Sequence, residues 1–333
     1  MSEVIEAVID GLPGRKELSG AIRISCDGEP IFERAYGHAS LQLGVANTIS
    51  TRFHVGSVTK VFIAAAVLRL SRDGLISLQS HPSAYVPELA RLHPALTVHH
   101  MLSHTAGLAD IYEVPSLRAE VAGLVARGER LLDYLTALPT PDAPGARWRY
   151  SSTGFLLLAY VVESVRGAPF AQVVDELFRT PLGLAHTGPD NPQLVNPGRA
   201  LGQISTSNGW RNAQNDALAE IEGPREFYST VEDLDHWATA LRRGEVLDEE
   251  ALTLAFTRHA NVGGWAGLDP KCDYGYGWFL EDGVRWVSGR TAGFRAALWQ
   301  YPDERLNVVM LWNNERINSH AIMSSLRPIL LGQ

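Results

Sequence analysis

Apolar residues recur with two different periods along this chain, and the change of period divides it. A short amphipathic helix is predicted around Glu3 to Leu12. Gly20-Ala21-Ile22-Arg23-Ile24-Ser25 and Pro30 to Tyr36 flank the turn pair Asp27-Gly28 and predict an antiparallel hairpin. The segment Val61 to Leu68 carries no polar residue, so the helix it predicts is apolar on all sides and buried, with Asp73-Gly74 as its stop. From about Ile76 to Gly223 the reading is mainly helical, over Thr97 to Leu102, Leu117 to Leu138, Thr153 to Arg166 and Phe170 to Phe178. Pro144-Gly145 and Pro181-Leu182-Gly183 punctuate it, and Pro189 to Gly223, rich in Asn, Gly, Pro and Gln, reads as irregular loop. A helix over Val231 to Leu241 starts at a cap of Ser229-Thr230, with Glu232 and Asp233 in its first turn. The pattern then becomes strand-like. Tyr276 to Glu281 and Val284 to Ser288 flank Asp282-Gly283, Phe294 to Tyr301 and Leu306 to Asn313 flank the turn at 302–305, and a helix from Ser319 to Leu330 closes the chain.

Strands at both ends with helices between them predict an α+β fold: one antiparallel β-sheet, built from the N-terminal hairpin and the C-terminal meander, flanked by helices and carrying an inserted mainly helical domain. The expected boundaries are 1–75 and 226–333 for the two parts of the α/β domain and 76–225 for the insertion. At 333 residues the chain can bury a large core. Its net charge of −8 provides no basic surface for nucleic acid or an anionic membrane, which leaves a small molecule as the expected partner and the oligomeric state open. No uninterrupted apolar run reaches the ~18 residues that span a bilayer. Cys26 and Cys272 are far apart and in no metal-like pair, and Met1 to Glu6 has no basic region followed by an apolar core. Both observations point to a cytoplasmic protein without a secretory signal.

Candidate chemistry centres on the head of the apolar helix, Gly56-Ser57-Val58-Thr59-Lys60. A serine and a lysine three apart share a helix face, which sets a hydroxyl beside an amine at the rim of a core. Serine needs a base, and Tyr150, between a Pro-Gly turn and a predicted helix, is a natural one. Lowering a tyrosine from about 10 to about 7 costs roughly 4 kcal/mol. One ammonium at about 4 Å supplies roughly that much at an effective dielectric near 20. The plainer reading makes Ser57 a helix cap, Lys60 a snorkelling chain and Tyr150 a core-edge phenol. His99, His100 and His104 include an i, i+4 pair, but no carboxylate or cysteine accompanies them at zincin spacing. No metal and no cofactor is therefore expected, and His104 reads as a buried hydrogen-bonder. Of the tryptophans crowding the C-terminal part (Trp210, Trp237, Trp265, Trp278, Trp286, Trp299 and Trp312), most should be core and one or two could line an acyl pocket.

Ser57-x-x-Lys60, then Tyr150-Ser151-Ser152, then Val287-Ser288-Gly289 resembles the class C branch of the serine β-lactamase/DD-peptidase superfamily, which includes class C β-lactamases, DD-peptidases, D-aminopeptidases and β-lactamase-like carboxylesterases. Leu102-Ser103-His104-Thr105-Ala106-Gly107-Leu108, Pro181-Leu182-Gly183, Ser229-Thr230-Val231-Glu232-Asp233-Leu234 and Tyr274-Gly275-Tyr276-Gly277-Trp278 resemble further family stretches in the same order. The resemblance covers nearly the whole chain and implies a β-lactamase/transpeptidase-like fold and an acyl-enzyme mechanism. In it Ser57 attacks a carbonyl, Tyr150 with Lys60 takes and returns the proton, and the backbone N–H groups of Ser57 and Arg290 hold the oxyanion.

Two departures bear on the substrate. Peptidases and lactamases of this type usually carry Tyr-x-Asn, where this chain has Ser152, and a Lys or His at the head of the third motif, where it has Val287. Family carboxylesterases tend to lack that cation, often with Trp in its place, and Trp286 is the immediate neighbour. The expected substrate-binding residues are thus Ser152, Trp286, Ser288 and Gly289, and the expected activity is that of a carboxylesterase or acyltransferase. A D-amino-acid peptidase, amidase or β-lactamase on the same residues is the alternative, for which Arg290 and Arg295 could restore a carboxylate site. A catalytically dead binding protein is a more distant one.

Overall fold

The computed structural model describes residues 1–191, 194–214, 218 and 226–332. The predicted hairpin is β1 (Gly20–Cys26) and β2 (Glu29–Tyr36), turned by Asp27 and Gly28, both at positive φ as a two-residue hairpin turn demands. Six more strands complete its sheet: β3 (Ala260–Asn261), β4 (Asp273–Tyr274), β5 (Phe279–Glu281), β6 (Val284–Thr291), β7 (Phe294–Tyr301) and β8 (Leu306–Trp312). The order is β3-β4-β5-β6-β7-β8-β1-β2, every pair antiparallel. The two ends of the chain therefore meet at β1 and β8, with Gly20 opposite Trp312 and Cys26 opposite Leu306. Gly20 has no room for a side chain, since a Cβ there would stand 2.0 Å from the Leu311 carbonyl oxygen.

Alternation along the strands sorts side chains to two faces. On one, Ile22, Ile24, Trp299, Met310 and Trp312 pack with Ile5 and Ile9 of α1 (Ser2–Asp10) and Leu326 of the C-terminal helix Ser319–Leu330. On the other, Ala21, Val287, Leu298, Val309 and Leu311 join one continuous core with α2 (Thr59–Arg72) and α3 (Ser152–Arg166), and with α4 (Val231–Arg242). The unbroken apolar run in α2 is explained by its place: it is buried from Thr59 to Leu68 between the sheet and the helical layer. Thr230 caps α4 by accepting from the Asp233 N–H.

Several elements differ from expectation. Leu117 to Leu138 is two helices, Leu117–Arg127 and Leu131–Ala137, because Gly128 ends the first in the left-handed region. Phe170 to Phe178 is α-helical only to Val174 and continues as a π-helical turn, Asp175–Arg179. The stretch read as irregular loop contains a hairpin of Gln203–Thr206 with Gly209–Asn212; its positions 192–193, 215–217 and 219–223 lie outside the described residues. Tyr276 precedes its strand because its N–H bonds the Ala255 carbonyl instead of a neighbouring strand. Ala255 belongs to a helix, Glu249–Phe256, that the pattern did not predict. Cys26 and Cys272 are free thiols. Among the described residues no single helix is long and apolar enough to cross a membrane.

One buried polar cluster ties α4 to the sheet. Asp235 is 2% exposed and accepts from Arg23 Nε at 2.7 Å, from Asn307 Nδ2 at 2.8 Å and from the Ser25 hydroxyl. Asp235→Ala leaves these donors in the interior without their acceptor, so we expect a stability loss of about 3 kcal/mol or more, read from urea unfolding. An unchanged midpoint would mean that the cluster contributes specificity rather than stability.

Candidate active site

The short strand Phe53–His54 pairs with Phe227–Ser229 and delivers the chain to a 3₁₀ turn, Gly56–Val58, from which α2 continues. Two glycines let this turn lie against β6 backbone to backbone. A Cβ on Gly289 would stand 1.9 Å from the Val55 carbonyl oxygen and 3.0 Å from the Ser57 nitrogen, and one on Gly56 would stand 2.9 Å from the Arg290 nitrogen. The backbone nitrogens of Ser57 and Arg290 both lie at this contact, each so close to a glycine that no room is left for a side chain.

Ser57 caps no helix, since neither the 3₁₀ turn nor α2 has a side-chain cap, and Lys60 does not snorkel, being 5% exposed. Lys60 Nζ lies 3.0 Å from Ser57 Oγ and 3.3 Å from Ser152 Oγ. Tyr150 approaches from the turn ahead of α3, and its hydroxyl is 2.8 Å from Ser57 Oγ. The three sequence-predicted side chains thus converge on one oxygen. Phenol and amine both bond the serine, and Nζ sits 5.0 Å from the centroid of the Tyr150 ring.

His104 holds the tyrosine in place. Its φ is +56°, its ring is buried, and it packs at 4.4 Å from Tyr150, 4.7 Å from Tyr274 and 5.0 Å from Phe155. Its carbonyl accepts from Arg149 N–H at 2.8 Å and its Nδ1 accepts from Ser151 N–H at 3.2 Å, so the two residues flanking Tyr150 are both bonded to it. Burial first, and the Lys60 charge second, push its pKa well below 6.5; the imidazole is neutral, with its proton on Nε2. The neighbouring histidines go elsewhere. His99 bonds the Tyr276 hydroxyl at 2.6 Å, and burial with His259 and His100 nearby lowers its pKa to about 4. His100 forms a capping box with Thr97. Among the described residues no group of three His, Cys, Asp or Glu is placed to hold a metal.

Two participants escaped the sequence reading. Asp110 is 6% exposed; its Oδ2 accepts from Ser152 N–H at 3.1 Å and Ser152 Oγ at 3.2 Å, and its Oδ1 from Tyr112 N–H at 2.9 Å. A lone aspartate carries no spacing signal, and its sole local mark is that it caps the 3₁₀ turn Ile111–Glu113. Trp265, 42% exposed, stacks on the Tyr150 ring at 5.1 Å and 12°. It is one of the seven tryptophans of the C-terminal part, and nothing in its spacing sets it apart.

Of the expected binding residues, Ser152 has its hydroxyl engaged between Lys60 and Asp110. Trp286 is 2% exposed, stacked on Phe279 at 4.3 Å, with its indole N–H donating to Glu281 at 2.8 Å. With Ser288, Gly289, Trp265, Arg295 and Arg316 it lines a cleft of about 680 Å³. Val287 points the other way, into the core with Leu298 and Val309. A much smaller recess, about 20 Å³, is lined by Lys60, Ile63, Phe155, Leu156, Ser152 and Glu226.

A family model described as Beta-lactamase matches residues 5–325 of this chain. Penicillin-binding protein 4* of Bacillus subtilis is 23% identical over 351 residues, covering 99% of this chain and 76% of its own length. Esterase EstB of Burkholderia gladioli is 34% identical over 199 residues, covering 55% of this chain and 50% of its own length. The crystal structure of a penicillin-binding protein from Bacillus halodurans superposes with a TM-score of 0.82 at 25% identity, over 98% of this chain and 99% of that one.

Two outcomes follow from this geometry. Gly289→Ala must separate β6 from the Ser57 turn, and we expect labelling of Ser57 by a fluorophosphonate to slow at least about 100-fold, with a lower melting temperature; wild-type labelling would show that the contact tolerates a side chain. Folded His99 and His104 titrate below the ordinary 6.5, so the unfolded chain takes up protons first on acidification. Stability is full above about pH 6.5 and falls as the pH drops towards about 4. Urea midpoints between pH 7.5 and 4 should show this fall, reduced in His99→Gln.

Proposed function

The chain belongs to the Beta-lactamase family of serine hydrolases, and from that membership we propose that it cleaves small esters through an acyl-enzyme on Ser57, passing the acyl group to water or to a second alcohol. The observation that carries this reading is the pair of hydrogen bonds that Lys60 and Tyr150 make to the one oxygen of Ser57. In the first half-reaction Tyr150 reacts as the phenolate, its own proton lost to solvent and the Lys60 charge beside it, and takes the serine proton as Ser57 Oγ bonds the carbonyl carbon. The negative charge that develops on the carbonyl oxygen is met by the N–H groups of Ser57 and Arg290, each contributing on the order of 3 kcal/mol. Collapse breaks the bond to the leaving alkoxide, which receives the proton from Tyr150. In the second half Tyr150 takes a proton from water, hydroxide character adds to the acyl carbon, and Ser57 leaves with the proton restored.

Preference for an ester follows from what surrounds this set. An amide clamp is missing, because the short Ser152 side chain is spent on Lys60 and Asp110, and the head of the third motif is an apolar, buried Val287. An alkoxide is also a better leaving group than an amide anion, so an ester needs less help from a proton donor than an amide does. Since Tyr150 returns the proton, the alcohol portion has to lie on its side, where Trp265 leads into the larger cleft. The 34% identity to an esterase over half the chain supports the same choice.

A second reading, a peptidase, amidase or β-lactamase on the same residues, is favoured by Arg295 and Arg316 on the cleft wall, which suit a substrate carboxylate. Panels of 4-nitrophenyl esters of increasing acyl length, D-amino-acid amides and a cephalosporin separate the two. We expect short-chain esters to be turned over, an acyl adduct on the Ser57 peptide by mass spectrometry, and a loss of at least about 10⁴-fold in Ser57→Ala. Turnover of amides or the cephalosporin with esters untouched would select the second reading. Full ester activity in Ser57→Ala would reject both, and failure of a fluorophosphonate to label wild-type Ser57 would point to a catalytically dead binding protein.

A further inference from the structure

Asp110, Ser152, Lys60 and Ser57 form a chain of hydrogen bonds whose direction can be assigned. Ser152 opens α3, and the Asp110 carboxylate meets both its N–H at 3.1 Å and its hydroxyl at 3.2 Å. A carboxylate oxygen has no proton to give, so the Ser152 hydroxyl donates to Asp110 and turns only lone pairs towards Lys60, 3.3 Å away. Lys60 is then the donor in that bond. Its remaining N–H groups reach Ser57 Oγ at 3.0 Å.

The direction matters for the reaction. A neutral amine would present a lone pair and could take the serine proton itself, whereas an ammonium donor cannot, and the proton must then pass to Tyr150. We propose that Asp110 is a positioning residue that acts through the Ser152 hydroxyl to keep Lys60 a hydrogen-bond donor towards Ser57, leaving Tyr150 to take the serine proton. This rests on reading Ser57, Lys60 and Tyr150 as the reacting set. Among the described residues the bonded partners of Lys60 are Ser57 and Ser152, so Asp110 is the carboxylate linked to it through a single side chain. The other titratable groups around Lys60 are Tyr150, the neutral His104, and Glu226 and Tyr112 on the wall of the small recess. A purely structural role for Asp110, capping the turn at Ile111 and the start of α3, predicts no effect on the lysine proton.

The chain has only three lysines, Lys16, Lys60 and Lys271, so the full-length protein labelled with ¹³C-lysine gives three side-chain Cε signals. These are followed against pH in wild type, Asp110→Asn and Ser152→Ala, beside kcat and KM for 4-nitrophenyl acetate. In Asp110→Asn the Lys60 midpoint should fall by about one pH unit or more while Lys16 and Lys271 stay put. Ser152→Ala should move it the same way while retaining the backbone bonds to Asp110, which keeps the test decisive if Asp110→Asn folds poorly. We expect kcat to drop about tenfold or more in both variants with KM changed less than about twofold, the alkaline limb of the rate profile moving with the lysine. A Lys60 titration in the folded variants that matches wild type overturns the inference, whatever the rates. Because the NMR signal does not depend on turnover, absence of ester hydrolysis in wild type would reject the proposed function separately.

Discussion

The close approach of two backbones, Gly289 on β6 and the Val55 to Ser57 turn, is the constraint on which the rest of the site depends. Neither partner can move far: β6 is held on both sides by β5 and β7, and the turn is gripped between the Phe53–His54 strand and a helix that is buried along most of its length. With a Cβ excluded at 1.9 Å from the Val55 oxygen, the two chains meet at a separation that a side chain would forbid. That separation brings the backbone nitrogens of Ser57 and Arg290 to the same contact, and in the proposed reaction donors held in this way need no reordering when charge develops. The sheet acts here as a rigid stop against which the head of α2 is set.

A buried lysine needs compensation, and the structure provides it indirectly. Among the described residues no carboxylate bonds Lys60 directly; Ser152 links it to Asp110, and Nζ also lies near the rings of Tyr150 and Phe155. A direct ion pair would hold the ammonium more tightly and draw it from the serine. The relay leaves Nζ free to bond Ser57, and the neutral His104 beside it adds no second positive charge to the pocket. The residue that takes the place of the family's asparagine is therefore part of this charge balance, which links the loss of an amide clamp to the way the lysine is held.

Much of the fold was legible locally. The C-terminal helix Ser319–Leu330 and the strand Phe294–Tyr301 were read with their observed limits, because each has a clean period and a turn or cap at its ends. The long helix from Leu117 was read too far, since Gly128 breaks it without disturbing the apolar spacing. The two-residue strands β3 and β4 are too short to show any period and exist by pairing, β3 with β4 and β4 with β5. Among site residues, Ser57 and Lys60 were legible from spacing on one helix, and Tyr150 from its motif. Asp110 and Trp265 were not, because each meets the site from a loop whose position depends on distant parts of the chain.

By itself, then, the sequence determined that a hydroxyl and an amine share one helical face at the head of an apolar helix, and that strands from both ends of the chain make one sheet. These are consequences of periods of 3.6 and 2 and of short turns, which act over a few residues. Only the tertiary structure decided that the amine and the phenol both bond the serine oxygen, that Ser152 faces inward to Asp110, that Val287 turns into the core while Trp286 lines the cleft, and that Trp265 covers Tyr150. Each of these is a contact between segments tens to hundreds of residues apart, fixed by sheet register and by the burial of α2 and α3, and local patterning carries no information about either.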